Sequence, residues 1–180
     1  SPSMTAPEIH QQLVDRFGSE VIVGLSTDRL DPSIEVRASD MAQVADYLKL
    51  DPALALDQLC DLTVVDYLET DPKKQKSFSH EPHLEVVYQL FSVTHKHRIA
   101  IKAKLPRWAN DVAGELPEID TVSHVWAIAD WHEREAFDLL GVRFNGHPNL
   151  VRILCPDDWV GHPLRKDYEF PLEYHGVRGK

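Results

Sequence analysis

From Arg98 to Leu105, Ile99, Ile101, Ala103 and Leu105 fall on one face of an extended chain while Arg98, Lys102 and Lys104 fall on the other. This period of two marks a strand with one face in a core and one in water, which must pair with neighbours to be stable. Leu84 to Thr94, joined to it by a turn at His95-Lys96, supplies the first neighbour. Ser33 to Arg37, Val21 to Leu25 and Leu62 to Leu68 complete a set of about five strands. Three helices carry their own punctuation. Thr5-Ala6-Pro7-Glu8 reads as a capping box opening a helix over about 6–17 that Gly18 ends. Asp40-Met41-Ala42-Gln43 opens a second over about 41–50, stopped by Asp51-Pro52. Asp130-Trp131-His132-Glu133 opens a third that closes at Gly141. The order α-β-β-α-β-β-β-α predicts an α+β domain of two layers, with helices on a mainly antiparallel sheet. Glu69 to His83, with Lys73, Lys74 and Lys76, is too polar for a core and reads as a long mobile hairpin loop.

Past Val142-Arg143 the pattern changes. Prolines 148, 156, 163 and 171 and glycines 146, 161, 176 and 179 argue against regular structure over 144–180. Leu150, Val151, Ile153, Leu154, Trp159 and Tyr168 are nonetheless too apolar for a solvated tail. The expected organisation is an α+β domain over 1–143 and an extended segment over 144–180 that lies partly on the domain's own sheet and partly against a partner protein.

Several function classes drop out. The chain of 180 residues carries 29 acidic and 19 basic residues, a net charge of −10, and its cations are scattered, which disfavours a nucleic-acid partner. No apolar run approaches the roughly 20 residues of a membrane span, so direct membrane insertion is not expected. Ser1 to Glu8 lacks the basic start and apolar stretch of a secretory leader, and Ser1-Pro2-Ser3 before Met4 reads as an expression scar. Cys60 and Cys155 are too few and too distant for a metal, redox or disulfide motif, and are expected to be buried thiols. The ten histidines do not form ligand sets: His132-Glu133 resembles the start of a zinc-protease helix, but position 136 is Ala136. A metal-dependent hydrolase therefore lacks a completed ligand set. Gly141 to His147 has two glycines but no Lys-Ser/Thr of a phosphate loop, and no Gly-x-Ser-x-Gly elbow exists.

Asp130 to Asp138 is the densest charged patch. At 100° per residue Ala136, Phe137 and Leu140 share an arc that includes Glu133, so a carboxylate lies on the apolar face. As the fourth residue of the capping box, Glu133 is expected to fold back to the Asp130 N–H. Arg134 and Asp138 can pair at i,i+4 in the weaker orientation; otherwise they lie on a solvated face or anchor the irregular segment or another chain.

The run Trp131-His132-Glu133-Arg134-Glu135-Ala136-Phe137-Asp138-Leu139-Leu140-Gly141 is followed by Gly146-His147-Pro148 and Arg152-Ile153-Leu154. Pro156-Asp157-Asp158-Trp159 and Gly161-His162-Pro163-Leu164-Arg165-Lys166-Asp167-Tyr168 complete the series. Dense from about Thr121 to Gly176, this set resembles the 30 kDa subunit of the proton-pumping NADH:quinone oxidoreductase, respiratory complex I. Val151 departs from the family signature, which favours Lys, Arg or Pro there, and Arg152 is the remaining cation.

The resemblance implies a structural and assembly subunit without a flavin, iron–sulfur cluster or quinone ligand of its own. FMN and the clusters would sit in other subunits. The chain would pack in the peripheral arm, on the cytoplasmic face of the membrane, against the quinone-site subunit and near cluster-bearing subunits. No catalytic residue is expected. The residues expected at the interface or in its motif are Trp131, His132, Glu133, Arg134, Glu135, Asp138, His147, Arg152, Asp157, Asp158, Trp159, Arg165, Lys166, Asp167 and Tyr168. Equivalent subunits of a membrane-bound hydrogenase or a ferredoxin-accepting photosynthetic complex share this resemblance.

Overall fold

A computed structural model describes residues 2–27 and 30–179; Ser1, Asp28, Arg29 and Lys180 lie outside the described residues, so the part of the leader and scar readings that falls on Ser1 does too. The chain order is α1 (Ala6–Phe17), β1 (Ile22–Ser26), β2 (Ser33–Val36), α2 (Met41–Leu50), β3 (Gln58–Tyr67), α3 (Pro72–Gln75), β4 (His83–Phe91) and β5 (Arg98–Leu105). There follow β6 (Glu118–Asp120), α4 (Ala129–Leu140), β7 (Arg143–Asn145), β8 (Glu173–Tyr174) and β9 (Val177–Arg178).

The five long strands form one sheet in the order β1-β2-β5-β4-β3. Every neighbouring pair is antiparallel except β2 with β5, which run parallel because α2, β3 and β4 intervene between them. The sheet is therefore mixed but mainly antiparallel, in an α+β fold, as the sequence pattern predicts. Ile99, Ile101, Ala103 and Leu105 of β5 join Leu84, Val86, Tyr88 and Leu90 of β4 in the core, with Ile9 and Leu13 of α1 and Met41, Val44, Ala45 and Leu48 of α2.

Three local expectations are corrected. β3 begins at Gln58 rather than 62, because its register with β4 slips between Leu59 and Asp61 and this bulge at Cys60 breaks the period of two. The bulge also leaves the Cys60 thiol exposed, and Cys155 is half-buried, so neither cysteine is the buried thiol expected. Asp40 makes no side-chain cap for α2; its carboxylate takes Arg37 Nε at 2.5 Å. By contrast Thr5 and Glu8 form the full capping box of α1.

β4 ends at Phe91 because Ser92 closes the turn, its N–H donating to His97 O at 2.9 Å and its hydroxyl accepting from His95 N–H at 3.1 Å. The β3–β4 connection contains α3, capped by Asp71, which accepts from the Lys73 N–H at 2.9 Å. Regular structure also extends past position 144. β7 pairs in parallel with β6, and β8 with β9 forms a small antiparallel hairpin. Lys102 is not simply solvated either, because its Nζ lies 3.6 Å from the buried carboxylate of Glu85.

Candidate functional site

The signature residues gather where α4 ends, β3 passes beneath it and the segment after β7 wraps both. α4 is amphipathic and stops at Gly141, whose φ of 69° supplies the left-handed turn its last carbonyls need. Asp138 on this helix is fully buried. Its Oδ1 accepts Arg152 Nη1 at 3.0 Å, and its Oδ2 accepts the N–H groups of Ile153, Leu154 and Cys155 at 3.1, 2.7 and 2.9 Å. Burial opposes ionisation, but the three backbone N–H groups outweigh it and hold this carboxyl below its usual range. Asp138 is thus neither on a solvated face nor paired with Arg134; it anchors residues 152–155 to α4. Arg134 instead lies 5.8 Å from the ring centre of the half-exposed Trp131, and its Nε is buried without a hydrogen-bond partner.

Glu133 corrects the capping-box expectation. Asp130 lies in the first turn of the helix, not at its cap, and its N–H already donates to Ala127 O at 3.2 Å, so it does not await the carboxylate. Glu133 points into the core, accepting from the Thr121 hydroxyl and, at 3.3 Å to each oxygen, from the Val122 N–H. No cation pairs with it among the described residues, and burial pushes its pKa up to about 7. Tyr88 of β4, buried with an unpartnered hydroxyl, has its own ionisation pushed up by burial and then by the Glu133 charge.

Further along, Arg165 is buried and closes α4. Its Nε donates to Leu140 O and its Nη2 to Gly141 O at 3.1 Å, placing a cation at the helix's negative end. Burial pushes its pKa down to about 10, which still leaves it charged at neutral pH. Asp167 receives Arg107 Nη1 and Nη2 at 3.0 and 2.7 Å, while the exposed Lys166 contributes its backbone N–H to Asp66 Oδ2 at 2.9 Å.

The remaining predicted residues scatter around this centre. His132 Nδ1 lies 3.6 Å from Asp61, and Glu135 borders a small apolar cleft between β3, α4 and Leu164. His147 Nε2 reaches Asp130 O at 3.0 Å. Asp157 is exposed, and Asp158 takes Tyr174 Oη at 2.6 Å. Trp159 packs on Tyr174 with ring centres 5.0 Å apart, and Tyr168 Oη donates to Val160 O at 3.2 Å.

Sequence reasoning missed Asp66, Arg107, Trp108 and Thr121. Asp66 had a readable signal, since it follows Leu62 and Val64 on the same strand face. Arg107, just past β5, carried none. Among the described residues no group of three or more His, Cys, Asp or Glu is placed to hold a metal, and no helix is long and apolar enough to cross a membrane.

The family described as respiratory-chain NADH dehydrogenase, 30 Kd subunit, matches residues 34–174. The chain belongs to this family. The 30 kDa family accounts for the whole span from β2 to β8, not only for the signature around α4. An NADH-quinone oxidoreductase subunit from Geobacter metallireducens is 42% identical over 92% of this chain and 89% of its own length. The subunit of the same name from Chloroherpeton thalassium is 36% identical over 96% of this chain and 66% of its own length. The fold is shared with a chain of the membrane-bound sulfane sulfur reductase, an archaeal respiratory membrane complex, at a TM-score of 0.64 and 22% identity over 91% of this chain and 85% of that one. As a 30 kDa subunit, the chain is one part of a multisubunit, membrane-associated respiratory complex.

Proposed function

We propose that this 30 kDa subunit is a non-catalytic scaffold of the peripheral arm of NADH:quinone oxidoreductase, lying on the cytoplasmic face and docking through residues 144–180. The partner in this reading is the quinone-site subunit, with cluster-bearing subunits nearby. Electrons pass from NADH through FMN and iron–sulfur clusters of other subunits to quinone, and the complex couples that transfer to proton translocation. The names of the relatives supply the reaction class.

One observation supports the docking role: a segment pinned to the domain by the buried charged side chains of Asp138 and Arg165 turns large apolar side chains outward. Leu154, Val160, Leu164, Phe170 and Leu172 are between 58% and 86% exposed, although Asp138 and Arg165 hold their stretch of chain in place. Apolar surface displayed on an ordered segment marks a contact with another protein. The test replaces Leu164 and Phe170 by Asp in the cellular complex. The reading expects the subunit to be lost from purified arms and membrane NADH:quinone reductase activity to fall, while the isolated chain melts as the wild type does. Normal retention and activity would overturn it.

A further inference from the structure

Between β7 and β8 the docking segment has neither helix nor strand. Only scattered backbone bonds hold it, such as Leu164 N–H to Leu139 O at 2.9 Å, so side chains must supply much of its order, because each residue left without such a bond carries about 1–2 kcal/mol of conformational entropy. Four charged groups supply that order at its centre. Arg107 donates Nε to Asp66 Oδ1 at 2.7 Å and Nη2 to Asp66 Oδ2 at 2.8 Å, and its two terminal nitrogens reach both oxygens of Asp167. The Asp66 side chain is 1% exposed and that of Arg107 is 10% exposed. Arg165 Nη1 donates to the Arg107 carbonyl at 2.5 Å, and its guanidinium sits 4.0 Å over Trp108. The Asp167 side chain, at the outer edge of the set, is 44% exposed. Two carboxylates and two guanidinium groups sum to zero charge, which lets the inner three groups be buried.

We infer that Arg107 is a positioning residue of the docking segment: it ties the sheet carboxylate Asp66 to Asp167 and so adds, to the bonds that Leu164 N–H makes to Leu139 O, Lys166 N–H to Asp66 and Arg165 to the end of α4, the side-chain tie that holds residues 165–168 before any partner arrives. This rests on the docking reading above. The planar fork matters: it meets two carboxylates with paired donors in fixed directions, which the single ammonium of a lysine does not reproduce. A segment ordered in advance carries no ordering penalty at association and binds more tightly for the same contacts.

Arg107→Lys keeps the charge and removes the fork; Asp167→Asn keeps the shape and leaves Asp66 paired. In the isolated chain, both should raise amide hydrogen exchange over 165–168 by about tenfold or more while β4 and β5 stay protected. Both should also weaken rebinding to arms stripped of this subunit by about tenfold. Unchanged exchange over 165–168 would overturn the inference, and so would faster exchange with unchanged rebinding. If Arg107→Lys also loosens β4 and β5, Asp167→Asn decides alone. Leu164→Asp, which leaves the Asp66–Arg107–Asp167 contacts in place, separates the two claims. Normal rebinding of that variant means the docking reading has failed, whereas weak rebinding of it beside normal rebinding of Arg107→Lys means only the positioning role has failed.

Discussion

Replacing Glu133 by Gln should change the pH dependence of stability in a direction the site dictates. The folded carboxyl is fully buried, has the Thr121 hydroxyl and the Val122 N–H as donors, and faces Tyr88 from β4 and Asp130 on its own helix. Its pKa stands at about 7 against 4.5 for the free side chain. The folded state therefore keeps a proton that the unfolded chain releases, and stability from this group is present below pH 4.5 and lost as pH rises through 7. At about 1.4 kcal/mol per pKa unit, the loss between pH 5 and 8 is roughly 2–3 kcal/mol. Gln is neutral throughout and close in shape. Urea denaturation of wild type and Glu133→Gln at pH 5 and pH 8 should show the variant gaining about 2–3 kcal/mol relative to wild type on going to the higher pH. An equal difference at both pH values would refute the reasoning, because it would mean the folded carboxyl is already ionised.

Gly141→Ala should destabilise the isolated chain by about 2–4 kcal/mol in thermal or urea unfolding, from left-handed strain plus collision. A Cβ there would meet the His162 ring at 2.6 Å. Asp138→Ala should cost about 3–5 kcal/mol, because it strands Arg152 and three backbone donors. Arg134→Ala, which breaks no ion pair among the described residues, should stay within about 1 kcal/mol in the same melt while still weakening assembly. Limited proteolysis should cut first within 69–82, where the short α3 is the one regular element and its residues are exposed; early cleavage within β4 or β5 instead would contradict this.

The fold was legible where burial and period coincide. Thr5 and Glu8 cap a helix whose apolar stripe faces one sheet, and β5 keeps an unbroken register with β4, its alternation departing only at the small, buried Ala100. It was illegible where a local motif competes with the core. Asp130 to Glu133 has the spacing of a capping box, yet the helix starts earlier and the deeper site at Thr121 captures the carboxylate. The bulge at Cys60 hid the first residues of β3 for a related reason, since one extra residue shifts every later side chain to the other face. For the site, the charged residues of 152–167 were visible, but their partners were not. Asp66 lies 100 positions from Lys166 and Arg107 lies 60 from Asp167, and sequence spacing carries no record of such contacts.

The docking claim is tested most directly by photo-cross-linking in intact membranes, with a reactive side chain placed at the exposed Leu164 in one strain and at Val65, an exposed position on β3, in another. If residues 144–180 dock as proposed, Leu164 cross-links to the quinone-site subunit in assembled complexes. A complex in which Leu164 labels only water, or in which Val65 alone reaches that subunit, would contradict it.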